Sequence, residues 1–124
     1  MKVRGLPYKN ICLPEGFSFA AARAGIKASG RPDLALVEAS PGTTAAAVFT
    51  KNRVVAAPLE VGRASLAATR GRVRAVIVNS GNANCATGKA GMQACQNVCR
   101  ELARLLRVHA NEVFPSSTGI IGVP

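Results

Sequence analysis

The sequence has no tryptophan, one tyrosine, four phenylalanines and one histidine, and 6 acidic residues against 16 Lys and Arg. Each scarcity excludes something. At 4% aromatic, the chain has too few rings to interleave with its cations as stacking platforms for single-stranded nucleic acid. The cations are mostly scattered singly. Their densest group, Arg70, Arg72 and Arg74, is not the compact basic footprint of a nucleic-acid reader. The lone histidine, His109, has Glu112 as its nearest carboxylate in sequence, a weak signal for a Ser-His-Asp arrangement. No serine lies in a Gly-x-Ser-x-Gly context, and the sparse carboxylates do not support a two-carboxylate mechanism. No apolar run approaches the ~18 residues of a membrane span. The charges near the N-terminus have no long apolar segment behind them, so no secretory signal is expected and a cytoplasmic location is.

What is present describes a small mixed protein. The 124 residues are one domain at most, or part of a larger one. Apolar residues make up 48%, enough for a core. The net charge of +10 suits attraction of a small anion such as an amino-acid carboxylate, or balance by an acidic remainder. It also keeps open an alternative function, a small basic module that binds nucleic acid or an acidic partner.

The four cysteines are Cys12, Cys85, Cys95 and Cys99. Disulfides would fit a secreted domain, which nothing else indicates. Zinc sites pair cysteines at short spacing twice, and only Cys95 and Cys99 fall close. These two lie one helical turn apart on an apolar stripe, so buried thiols are expected and no metal site is.

Along the chain, residues 1–16 read as an irregular lead-in. Residues 17–22 suit a strand. Residues 34–37 and 45–50 suit a hairpin with a loop at Ser40-Pro41-Gly42. Residues 54–57 suit a further strand stopped or forced to an edge by Pro58, and residues 63–69 one or two helical turns. Val73 to Val78 is the clearest strand, rich in β-branched residues. It runs into a predicted loop, Asn79-Ser80-Gly81-Asn82-Ala83-Asn84. A helix follows from Thr87 or Gly88 to about Arg107, its apolar face Cys95, Val98, Cys99, Leu102, Leu105 and Leu106. Val113 and Phe114 start a short strand that ends in Ser116-Ser117-Thr118-Gly119. The order predicts an α/β or α+β fold rather than a helical bundle.

Two segments carry candidate chemistry. The Asn-rich stretch after the strong strand sits where open α/β folds bind ligands, and its amides offer both donors and acceptors. It lacks the Gly-x-Gly-x-x-Gly and P-loop patterns, and a plain turn accounts for its composition equally well. Ser116 to Gly119 offers hydroxyl and N–H donors of the kind that stabilise an oxyanion. On composition alone a turn explains that segment better.

Four segments, in order, resemble one family. They are Gly25-Ile26-Lys27-Ala28-Ser29-Gly30-Arg31-Pro32-Asp33-Leu34-Ala35-Leu36, then Ala47 through Pro58, then Asn79-Ser80-Gly81-Asn82-Ala83-Asn84-Cys85-Ala86-Thr87-Gly88, then Ser117-Thr118-Gly119-Ile120-Ile121-Gly122. Together they are similar to the ornithine acetyltransferases, the bifunctional glutamate N-acetyltransferases of arginine biosynthesis. The resemblance implies an α/β layered αββα sandwich, here incomplete. Residues 1–124 would then be the N-terminal portion of the α chain, without an internal boundary. It implies a precursor that cleaves itself before a threonine, a β chain from the same precursor, and an assembly of two α and two β chains. It implies acetyl transfer from N2-acetylornithine to glutamate through an acetyl-threonine. No cofactor is implied, although some members also take acetyl-CoA as a co-substrate.

Carried over by residue, Thr118 and Gly119 would form the oxyanion hole, and Asn79, Ser80, Gly81 and Asn82 would help bind substrate. The nucleophilic threonine is not in this chain. Thr69 and Thr87 each follow an alanine, but neither has the Gly-rich lead-in of the family. The chain alone is therefore expected to be inactive and to expose apolar surface, favouring association.

Overall fold

The computed structural model describes residues 12–123. Most of the lead-in expected over residues 1–16 therefore lies outside the described residues, as does Pro124. The elements are β1 (Phe17–Ala22), β2 (Leu34–Ala39), α1 (Ala57–Thr69), β3 (Ala75–Asn82), α2 (Gly88–Leu106), a 3-10 turn (Ala110–Glu112) and β4 (Val113–Ile120). The strands form one four-stranded sheet in the order β1-β2-β3-β4. β1/β2 and β2/β3 are antiparallel and β3/β4 is parallel. The parallel pair is joined through α2, as such a pair requires a crossover. The protein is α/β.

The hairpin expected between residues 34–37 and 45–50 does not form. β2 has β1 on one side and β3 on the other, so neither edge is left for it. The 45–50 run is irregular instead, with Val48 fully exposed and a single bridge at Thr44–Arg72 before it. Phe49 leaves this stretch to meet Phe114, with ring centroids 6.5 Å apart, and the Arg63 guanidinium lies 4.9 Å over the Phe49 ring. The strand expected at 54–57 is also absent. Pro58 occupies the first turn of α1, where its missing N–H costs nothing and its fixed φ suits a helix. The expected helical turns at 63–69 are the second half of this longer helix.

α2 matches its expected span, and it buries a narrower stripe than its sequence suggests. Gly91, Cys95, Cys99 and Ala103 face inward, a row at spacing four whose small side chains bring the helix close to the sheet. Leu105 and Val98 remain 68% and 46% exposed. The core joins Cys99 and Ala103 to Ala75 and Val113, flanked by Leu36, Val61, Ile77 and Leu106. Val113 is the largest fully buried side chain, a contribution of about 1.5–3 kcal/mol. On the edge strand β1, Phe17 and Phe19 stay exposed.

Candidate functional site

The two polar segments singled out in the sequence are mostly strand; of the expected loop only Ala83 and Asn84 lie beyond the end of β3. Asn79 to Asn82 is the second half of β3, and Ser116 to Gly119 belongs to β4. Asn, Ser and Gly are poor strand formers. They adopt this conformation because the parallel ladder continues through them, pairing Asn79 with Ser117, Ser80 with Thr118, Gly81 with Gly119 and Asn82 with Ile120. Side chains alternate along a strand, so Asn79 and Ser117 share one face while Ser80 and Thr118 share the other. The Ser117 hydroxyl donates to Asn79 Oδ1 at 2.5 Å, and Asn79 Nδ2 donates to the Asn82 carbonyl at 2.8 Å.

Between this end of the sheet and α2 lies a cavity of about 790 Å³. Ile26, Leu34, Ile77 and Val98 give it apolar walls, and Asn79, Asn82, Asn84 and Ser117 supply polar groups. An apolar cleft with a few convergent amides and hydroxyls is the usual form of a small-molecule site. Of the expected substrate-binding residues, Asn79, Gly81 and Asn82 line it. Ser80, Thr118 and Gly119 do not: Thr118 and Gly119 are exposed at the same sheet end.

The mouth of the cavity is tied together by side chains acting on backbone. Asn84 Nδ2 donates to the Gly91 carbonyl at 2.9 Å, and the Thr87 hydroxyl donates to Asn84 Oδ1 at 2.6 Å. Asn84 itself has φ +47, a conformation that asparagine tolerates. This knot fixes how the chain leaves β3 and enters α2.

A second tie went unnoticed in the sequence. The Asp33 carboxylate accepts the backbone N–H groups of Ala24, Ile26 and Lys27 at 2.6, 2.7 and 2.8 Å. Its carbonyl accepts the Ser80 N–H at 2.8 Å. Asp33 is buried. The N–H bonds, from Ala24 foremost, hold its carboxyl below the ordinary value of 3.8. The available signal was its type: an acid in a chain that has so few, placed inside a Gly/Ser/Pro cluster.

The remaining candidates resolve simply. His109 is exposed, and Glu112 accepts its backbone N–H at 3.1 Å, so the pair closes a 3-10 turn. Cys95 and Cys99 are buried thiols as expected; Cys85 is half-buried and Cys12 exposed, and all four are free. Among the described residues no cluster of three or more His, Cys, Asp and Glu could hold a metal ion, and no helix is long and apolar enough to cross a membrane.

Comparison with known proteins gives one family. The ArgJ family model matches residues 18–124. An arginine biosynthesis bifunctional protein ArgJ from Rhodopirellula baltica is 43% identical over 118 residues, covering 95% of this chain and 28% of the relative. One of the same name from Nitratidesulfovibrio vulgaris is 47% identical over 109 residues, covering 88% and 28%. The crystal structure of ornithine acetyltransferase complexed with ornithine from Mycobacterium tuberculosis superposes with a TM-score of 0.84 at 46% identity, covering 89% of this chain and 59% of that one. The chain thus spans 28% of the length of these two curated relatives.

Proposed function

Since the chain belongs to the ArgJ family, we propose that it supplies the N-terminal part of the α chain of an enzyme that transfers acetyl from N2-acetylornithine to glutamate. On this reading residues 1–124 form one undivided portion of that chain. A β chain from the same precursor completes the site, two α and two β chains assemble, and the enzyme works in the cytoplasm. The observation that carries the reading is the register of β3 on β4, which sets Ser80-Gly81 beside Thr118-Gly119 at one sheet end, next to a cavity of substrate size.

The chemistry follows from a threonine at the start of the β chain. Its α-amino group takes the hydroxyl proton as the oxygen attacks the acetyl carbonyl of N2-acetylornithine. The carbonyl oxygen becomes an oxyanion, stabilised by donors from Thr118 and Gly119. When the tetrahedral species collapses, the C–N bond breaks and the proton passes to the departing ornithine amine. Glutamate's amine then attacks the acetyl-threonine by the reverse sequence. Each oxyanion donor is worth about 2.7–4 kcal/mol of barrier. No resident cofactor is needed; acetyl-CoA is a second acetyl donor if the enzyme is of the type that accepts it.

The test is isolation of the protein from its source cells through this chain, followed by denaturing mass spectrometry and a transfer assay without acetyl-CoA. A companion chain beginning with threonine and a Thr118→Ala loss of about 10²–10³ in kcat support the reading. A lone chain without transfer activity overturns it in favour of a basic binding module. Full activity of Thr118→Ala removes the oxyanion role alone.

A further inference from the structure

Lys27 stands apart from the other cations. Among the described residues only two lysines or arginines are half-buried, Lys27 and Arg74; the rest are exposed. Arg74 is accounted for: its Nε donates to the Ala39 carbonyl at 2.8 Å, and its guanidinium lies 3.8 Å from Glu38. Lys27 has no carboxylate within ion-pair distance among the described residues. The nearest acid in its own loop, Asp33, is occupied by backbone N–H groups, including that of Lys27 itself.

The loop that carries Lys27 is held against the sheet end. An ideal Cβ on Gly81 would lie 3.1 Å from Lys27 Cγ and 3.1 Å from Ile26 Cγ2, so the Lys27 stem packs on the Gly81 backbone. Gly81 is the register partner of Gly119, and both Ile26 and Gly81 line the cavity. The Lys27 stem therefore lies against Gly81, a residue that lines the cavity, at the sheet end that carries Thr118 and Gly119, although Lys27 itself is not part of the cavity lining.

We propose that Lys27 binds the α-carboxylate of the amino-acid substrate and that Asp33 is the residue that positions it. This rests on the acetyl-transfer reading above, whose donor and acceptor both carry an α-carboxylate. Lysine offers a point charge on a long stem, suited to a carboxylate whose exact placement is set elsewhere in the site.

The test uses the complete enzyme and pairs each substrate with its analogue lacking that carboxylate: N2-acetylornithine with N-acetylputrescine as donors, glutamate with 4-aminobutyrate as acceptors. Lys27→Met is expected to raise KM for both natural substrates about tenfold or more, to leave kcat within a few-fold, and to abolish the preference over the analogues. Lys27→Arg restores most of that preference. Asp33→Asn raises KM in the same direction without changing the charge of Lys27. Lys27 binds Asp33 through its backbone N–H, so side-chain replacement leaves the clamp intact; Lys27→Gln provides a second variant, checked by an unchanged melting temperature. Unchanged KM and unchanged discrimination in a folded Lys27 variant overturn the proposal while the transfer reading stands. Absence of transfer in the unmodified enzyme overturns both.

Discussion

Gly119 and Gly81 face each other in adjacent parallel strands so closely that a Cβ on Gly119 would overlap the Gly81 carbonyl group and the Asn82 nitrogen. Both have positive φ, +137 and +117, which other residues rarely adopt. Two glycines opposite each other let the strands close together where the two polar segments meet.

Gly119→Ala combines steric overlap with backbone strain, and a loss of about 2–5 kcal/mol is expected. Gly25→Ala is the control: φ is +82 but no atom lies within 4 Å of the added Cβ, so only the left-handed penalty of about 1–2 kcal/mol applies. Urea midpoints of the two variants, measured side by side, should differ in that order. Equal midpoints would show that the strands separate at no cost.

Asn84 holds the passage from β3 to α2 with two side-chain hydrogen bonds while itself in the left-handed region. Asn84→Ala should lower stability by about 2–4 kcal/mol, since it removes both bonds and places alanine at positive φ. Asn84→Gly relieves the backbone part and should recover about 1 kcal/mol of that. Thermal denaturation of the three proteins would separate the two contributions, and identical melts for the two variants would refute the backbone share.

Asp33 predicts acid lability with a definite sign. Its folded carboxyl is held below the ordinary 3.8 by backbone N–H bonds. Its stabilisation is therefore fully present above the unfolded value and is lost as the pH falls through the folded one. Urea midpoints should be flat from about pH 7 to 5 and then fall. Asp33→Asn should be less stable near neutrality, with the gap to the unmodified protein closing in acid. A gap independent of pH would mean that the charge of Asp33 contributes nothing.

The thiols should alkylate in order of exposure. Cys12 is exposed, Cys85 half-buried, and Cys95 and Cys99 buried. The hydrogen bond with Cys95, together with burial, pushes the Cys99 thiol up, away from the reactive thiolate. Iodoacetamide followed by peptide mass spectrometry should label Cys12 first and Cys99 only at the rate of unfolding. Early labelling of Cys99 in native protein would show that α2 does not pack on the sheet as described.

Some of this protein was fixed locally and is legible in the chain. The β-branched run at 73–78 makes its own strand, and the spacing of Cys95, Cys99 and Leu102 makes its own helix, because these depend on neighbours a few residues away. The motifs that carry the family resemblance are likewise local strings, and the candidate residues Thr118, Gly119 and Asn79 to Asn82 came from them. Tertiary structure decided the rest. Whether Asn79 to Asn82 forms a loop or a strand depends on β4, some 38 residues away at the Ser117–Asn79 hydrogen bond, whose ladder overrides the weak strand preference of Asn, Ser and Gly. The 45–50 run has strand composition but no free sheet edge, so it stays irregular. Asp33 shows the same limit most clearly: its residue type was visible, but its three backbone partners and Ser80 are assembled only when the sheet forms, because the geometry of a buried carboxylate is a property of everything packed around it.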